Sequence, residues 1–291
     1  MSEYKIFTDS CIDLTSQMAN ELELTVTALS VTVDDKEYFN YLDGRQISNE
    51  DFYEELRQHK KTFTSQVNMA RFIEDWEPTL AAGNDILSIS FSSALSGTYQ
   101  SSVQAKDTLL EKYPDRRIIT IDSLAASMGQ GLLLTYAAKL KKSGKSIDEV
   151  AKWVEQNKMN ICHLFTVGDL NHLKRGGRLS STKAILGTLL SIKPLLHVSP
   201  EGKLVQTGQV RGRKKSLIKM VETMIETIEN PEGQIVYISH GDCLEEAENV
   251  KKLILEKLPV QEVIINYVGP VIGSHSGIGT LAIFYLGNDR K

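Results

Sequence analysis

Asp85-Ile86-Leu87-Ser88-Ile89-Ser90-Phe91-Ser92-Ser93-Ala94-Leu95-Ser96-Gly97-Thr98-Tyr99-Gln100 is the stretch that decides the fold. Asp85 to Phe91 alternates large apolar residues with small or polar ones, the pattern of a half-buried strand. A helix from about Ser96 to Tyr113 follows. The hydroxyl-rich turn between them falls where a strand's carboxyl end meets a helix N-terminus. In open parallel sheets ligands bind at that edge, and helix N-terminal N–H groups favour an anion. Ser96 also fits the plain role of helix cap.

The same alternation extends in both directions. Lys5-Ile6-Phe7-Thr8 reads as a strand ending at Asp9-Ser10, with Asp13 placed to cap a helix reaching about Leu22. Thr25 to Val33 reads as one further strand. Ser48 to Asp51 opens a helix whose stripe is Phe52, Tyr53 and Leu56. Arg117 to Ile121 is the next strand, followed by helices from about Ser127 to Lys142 and from Ser146. Strands alternating with helices imply parallel pairing through crossover connections. After about Asn160 the rhythm changes. His163 to Val167 is a strand, and Leu195–Val198 with Leu204–Val210 reads as a β-hairpin. Gln234–Ser239 and Glu262–Val268 are strands around an Asp242–Leu258 helix, and Thr280–Leu286 is the terminal strand. We therefore expect two α/β domains, 1–160 and 161–291, with a ligand crevice between them.

The 291 residues are 41% hydrophobic and 24% charged, enough for a sizeable core. A net charge of -4 argues against nucleic acid as a partner. Cys11, Cys162 and Cys243 are scattered, without the spacing of a zinc site or a disulfide framework, and fit reduced thiols. Met1 to Lys5 leads into Ile6-Phe7-Thr8-Asp9 without an apolar leader, and no apolar run approaches membrane-spanning length. A cytoplasmic location is expected, with at most transient contact with a membrane surface.

Small polar stations recur along the chain. Thr64-Ser65-Gln66 precedes another helix. Lys174-Arg175-Gly176-Gly177-Arg178 combines a flexible backbone with two guanidinium groups suited to carboxylate or phosphate, or to a solvated loop. Arg211-Gly212-Arg213-Lys214-Lys215 repeats that composition. Gly273-Ser274-His275-Ser276-Gly277 sets a histidine among small residues. His163, His197 and His240 fall at strand positions and read as structural. Gly277-Ile278-Gly279-Thr280-Leu281-Ala282 matches a dinucleotide fingerprint only formally, because it lies too near the C-terminus to open a βαβ unit. A phosphate-binding G-x-x-x-x-G-K-[ST] loop, a G-x-S-x-G nucleophile elbow and an H-E-x-x-H metal motif are all missing from the sequence. No catalytic residue, metal or cofactor is expected.

Taken together, the chain resembles the DegV family over essentially its whole length. The resemblance rests on Thr8-Asp9-Ser10 with Asp13-Leu14, Phe52-Tyr53-Glu54-Glu55-Leu56, Thr64-Ser65-Gln66 and Leu95-Ser96-Gly97-Thr98-Tyr99-Gln100. It continues through Ile121-Asp122-Ser123 with Ser127-Met128-Gly129-Gln130-Gly131 and Leu173-Lys174-Arg175-Gly176-Gly177-Arg178. Ile192-Lys193-Pro194 and His275-Ser276-Gly277-Ile278-Gly279 complete it.

The resemblance implies an N-terminal three-layer α/β/α domain with a parallel sheet and a C-terminal two-layer α/β domain with a mixed or antiparallel sheet. A long-chain fatty acid lies between them. It implies the fatty-acid-binding subunit (FakB type) of a bacterial fatty acid kinase. A separate ATP-binding subunit related to dihydroxyacetone kinases phosphorylates the bound carboxylate, and the acyl phosphate enters phospholipid synthesis. By motif matching, Thr64, Ser65, Ser96, Gly97, Thr98, His275 and Ser276 form the carboxylate-holding group. Arg175, Arg178 and Arg211 are matched to phosphate handling or partner docking. Val67 and Ile278 stand where the family often has proline.

Two other readings of the residues stay open. One is an acyl hydrolase or transferase using Ser96 with His275. The other is a carrier or sensor of a short organic acid.

Overall fold

The structure, a computed structural model, describes residues 3–179, 191–288 and 290. The first part of the chain runs β1 (Tyr4–Asp9), α1 (Ser16–Glu21), β2 (Leu24–Thr27), β3 (Ser30–Val33), β4 (Lys36–Phe39), α2 (Asn49–Arg57), β5 (Thr62–Ser65), α3 (Met69–Ala81), β6 (Asp85–Ser90), α4 (Thr98–Lys112), β7 (Ile118–Asp122), α5 (Met128–Lys142) and α6 (Ile147–Asn157). The second runs β8 (Ile161–Thr166), α7 (Leu170–Arg175), β9 (Ile192–Val198), β10 (Leu204–Arg211), α8 (Arg213–Thr227), β11 (Ile235–His240), α9 (Leu244–Lys257), β12 (Glu262–Tyr267), α10 (Pro270–Ser276) and β13 (Leu281–Leu286).

The first sheet is parallel throughout, in the order β2-β1-β6-β7. β6 is buried at every position rather than on one face, as expected of a strand covered by helices on both sides. α3 and α4 cover one face, while α5 and α6 lie on the other. The second sheet has the order β10-β9-β8-β13-β11-β12. It is antiparallel except for the β11–β12 pair. α8 and α9 pack on its outer face.

α5 lies between the two sheets. It is apolar nearly all round, Met128 to Leu134 being buried without interruption, and it touches β8, β11 and β13. Gly129 and Gly131 make that fit possible. A Cβ on Gly129 would lie 2.2 Å from His163 Nε2, and one on Gly131 would lie 2.7 Å from a Leu14 methyl. Arg290 ties the two parts together by donating to the carbonyls of Leu124 and Ser199.

Several expectations change in the structure. Thr25–Val33 is not one strand. β2 belongs to the parallel sheet, and β3 joins an antiparallel β4-β3-β5 sheet that sequence reading missed. At the break, Leu29 N–H donates to Ser10 Oγ and Leu29 O accepts from Asn40 N–H, so the backbone leaves the first sheet with its polar groups satisfied. Asp13 does not cap α1. It has φ 49° at the end of a 3-10 turn, Ser10–Ile12, and Thr15 Oγ1 caps the helix by accepting from Met18 N–H. Helices α3, α7, α8 and α10 were not delimited from the sequence.

Candidate functional site

The order β2-β1-β6-β7 places the topological switch between β1 and β6, since the chain leaves β1 toward opposite edges. Loops at the carboxyl ends of strands beside such a switch form a crevice. The loop after β6, Phe91 to Gly97, is one wall of a cavity. Asp9, at the end of β1, holds that loop by accepting from Phe91 N–H at 2.7 Å. The cavity has about 1020 Å³ of free space when its mouth is counted.

The opposite wall is one face of the second sheet. His163 and Phe165 of β8 and Ala282 and Phe284 of β13 alternate onto it, registered Phe284 to His163 and Ala282 to Phe165. Val198 and Leu204 extend it, and Leu29, Leu95, Val268 and Val271 close the other side. Most of this interior is hydrocarbon. Its polar members include Ser127 and Ser239, which bond to each other, and His163, which is fully satisfied: Nδ1 donates to Ile161 O and Nε2 accepts from Ala126 N–H. Burial, aided by the Arg290 charge, holds His163 well below the usual histidine range and therefore neutral.

One end is different in kind. Thr64 and Ser65 of β5, Ser96 and Gly97 ahead of α4, and His275 and Ser276 at the end of α10 converge there with Arg178. His275 Nε2 is 2.7 Å from Thr64 Oγ1, and its Nδ1 donates to Gly176 O at 3.0 Å. A Cβ on Gly176 would lie 2.9 Å from His275 Cα, so the glycine permits this close approach. Burial pushes His275 down to about 4, with the Arg178 guanidinium adding to the shift. Ser96 Oγ is 2.9 Å from Thr98 Oγ1 and accepts from Thr98 N–H. Ser276 Oγ is buried and finds no hydrogen-bond partner among the described residues.

Outside Thr64 and His275 the surface forms a second, cationic recess. Lys60, Lys61, His172, Arg175 and Arg178 line it, and Phe63 stands 63% exposed beside them. Arg178 Nη1 donates to Gly176 O, and Arg175 lies 3.9 Å from Asp169.

Thr64, Ser65, Ser96, Gly97, His275, Ser276 and Arg178 thus come together, and Arg175 stands just outside. Thr98 supports Ser96 from behind, as a buried residue that does not line the cavity. Arg211 is exposed at the end of β10 and lines neither cavity. The sequence places Gln66 in its station without assigning it to the site, where it packs on Gly97, and gives no sign of Gly176 as the acceptor that orients His275. Val67 N–H donates to Thr98 Oγ1 at 3.3 Å, a bond that a proline there cannot make.

The side-chain hydrogen bonds of Ser96 go to Thr98 and those of His275 to Thr64, Gly176 and, at 3.5 Å, Arg178. The two side chains are therefore not arranged as a nucleophile–base pair, and His275 Nδ1 faces a carbonyl where a triad has a carboxylate. Among the described residues no cluster of His, Cys, Asp and Glu is placed to hold a metal ion, and no helix is long and apolar enough to cross a membrane.

The model of the DegV family matches residues 3–288. A DegV domain-containing protein of Clostridium perfringens is 49% identical over the full length of both chains. The structure of a DegV-family protein from Thermus thermophilus, described by its fatty acid binding, superposes with TM-score 0.88 at 29% identity, covering 99% of this chain and 100% of that one. A DegV-family protein from Ruminococcus gnavus, determined with vaccenic acid, gives TM-score 0.87 at 26% identity, with 97% and 99% covered.

Proposed function

The chain belongs to the DegV family, and we propose that it binds one long-chain fatty acid and presents the carboxylate to a separate ATP-dependent kinase subunit. The observation that carries this is the join between an apolar cavity and a single polar end built on the Thr64–His275 hydrogen bond. The relatives described with fatty acids support the choice of ligand.

The tail supplies the affinity. Burying about 14 methylenes at roughly 0.8 kcal/mol each contributes on the order of 11 kcal/mol before the costs of binding. The head group contributes orientation, because a carboxylate buried without partners is expensive. Thr64, Ser96 and His275 hold it, with Ser65, Gly97 and Ser276 around it and Thr98 behind Ser96.

A protein that presents its ligand to another enzyme needs no nucleophile, nucleotide loop or cofactor of its own. The kinase subunit in this reading is related to dihydroxyacetone kinases, and the acyl phosphate enters phospholipid synthesis in the cytoplasm. Arg175 and Arg178, at the mouth, stabilise the phosphoryl group or dock the partner. Arg211 is assigned to docking only. We place the domain boundary at residue 160.

Mass spectrometry of an organic extract from the purified protein tests the ligand class. A near-equimolar C16 or C18 acid is expected. Recovery of a short organic acid in its place overturns the proposal.

A further inference from the structure

We propose that the polar end takes up one proton from solvent when a carboxylate binds, because Thr64 and His275 have no hydrogen left to donate to it. The inference rests on the fatty-acid reading above and specifies how that site meets its ligand.

The hydrogen count follows from three contacts. Gly176 O can only accept, so His275 Nδ1 at 3.0 Å carries a hydrogen; Arg178 Nη1, 3.5 Å from Nδ1, directs its own hydrogen to Gly176 O at 2.9 Å. With the ring neutral, Nε2 is bare and accepts from Thr64 Oγ1 at 2.7 Å. The single hydroxyl hydrogen of Thr64 is thereby used, and its remaining lone pairs repel a carboxylate. Ser96 has a hydrogen to offer only when Thr98 donates within their 2.9 Å pair, and the free hydroxyl of Ser276 does nothing to relieve the lone pairs that Thr64 presents.

The surroundings keep the empty ring neutral. α7 and the loop after it bring His172, Arg175 and Arg178, and the segment before β5 brings His59, Lys60 and Lys61. β3 and β5 contain no charged residue. α2 meets α10 through Phe52 and Tyr53 at Gly273. No acidic side chain lines either cavity among the described residues. Burial and the Arg178 charge accordingly hold His275 down to about 4.

An arriving carboxylate reverses that balance, since a nearby negative charge favours the protonated ring. With one added proton, Nε2–H donates to Thr64 Oγ1 and Thr64 donates to the carboxylate. If the proton stays on the ligand instead, the carboxyl donates to Thr64 Oγ1. Both arrangements complete the chain, and both consume one proton per acid bound.

Isothermal titration of the lipid-free protein with decanoate at pH 7.5, in buffers of different ionisation enthalpy, counts the protons. Uptake near one per acid is expected, with Kd rising ~10-fold per pH unit from pH 7 to 8. His275→Gln carries its own amide N–H toward Thr64, so its uptake is expected near zero. Saturable binding with no uptake and a flat Kd, or equal uptake in His275→Gln, overturns the inference and leaves the fatty-acid reading standing. No saturable binding of either decanoate or palmitate removes both. The Kd slope of the unmodified protein decides the matter even if His275→Gln does not fold.

Discussion

His275 Nε2 lies 2.7 Å from Thr64 Oγ1 across 211 residues of sequence. One belongs to β5, at the open edge of the small antiparallel sheet, and the other to the last turn of α10. Neither residue has a special role locally. Their meeting makes a polar junction between the two walls at the cavity's mouth, and it depends on Gly176 leaving room for His275.

Removing that junction should uncouple binding from transfer. A neutral hydrogen bond contributes about 0.5–1.5 kcal/mol, small beside a buried acyl tail. Thr64→Val, Ser96→Ala and His275→Ala are expected to weaken palmitate binding by roughly tenfold or less. Acyl-phosphate formation with the kinase subunit should fall by about 100-fold, because a misplaced carboxylate loses its alignment. Both quantities are read on the same preparations by lipid titration and coupled turnover.

Filling the apolar interior should do the reverse. Ala282 is buried on β13 opposite Phe165 and lines the cavity. Ala282→Phe places a ring where the tail lies. Palmitate affinity should drop at least ~10-fold while a six-carbon acid is little affected, with an overpacking cost to stability of about 1–3 kcal/mol. Competition binding with acids of graded length, beside a melting curve, checks this.

The arginines should rank by position. Arg178 lines both cavities, Arg175 lines only the outer one, and Arg211 lines neither. Alanine at each is expected to lower kinase-coupled turnover in the order Arg178, Arg175, Arg211, with palmitate affinity nearly unchanged for Arg175 and Arg211. Equal turnover in all three variants would return them to solvated surface charge, worth little each.

Two buried carboxyls give stability a pH signature. Burial raises Asp13 to about 7 and Asp9 to about 6, against donors that favour their anions. Their folded values lie above the unfolded ones, so their contribution is present at low pH and is lost as pH rises through 6 and 7. The neutral buried histidines have depressed values and oppose this slope, because the unfolded chain still binds protons at them between about pH 6.5 and 7.5. Between pH 6.5 and 8 the two effects nearly cancel in the unmodified protein, whereas the unfolding free energy of Asp13→Asn, freed of the Asp13 contribution, should rise by about 1 kcal/mol. Denaturant titrations across this range measure it.

The parallel half of the fold was legible because its strands and helices differ in period, and β6, α4 and β7 fall where the pattern puts them. What failed was assignment of a strand to a sheet. Thr25 to Val33 is uniformly β-prone, and only the Ser10 and Asn40 contacts at Leu29 reveal the break. Composition marked Thr64, Ser96 and His275 through hydroxyls and glycines, yet it marked Arg211 equally well. A Gly/Arg segment reports charge and flexibility, and the register of β10 decides where that charge ends up. Gly176 was seen as a flexible link, whereas its carbonyl orients His275, a role that a residue's identity does not encode.

The most direct measurement is titration of the delipidated protein with C16 and C18 fatty acids, following saturation and stoichiometry. Saturable binding of one acid per chain, retained with weaker affinity in Thr64→Val and strongly reduced in Ala282→Phe, is the predicted result. Absence of saturable binding by either acid, with saturable binding of a nucleotide or a short organic acid instead, would contradict the account.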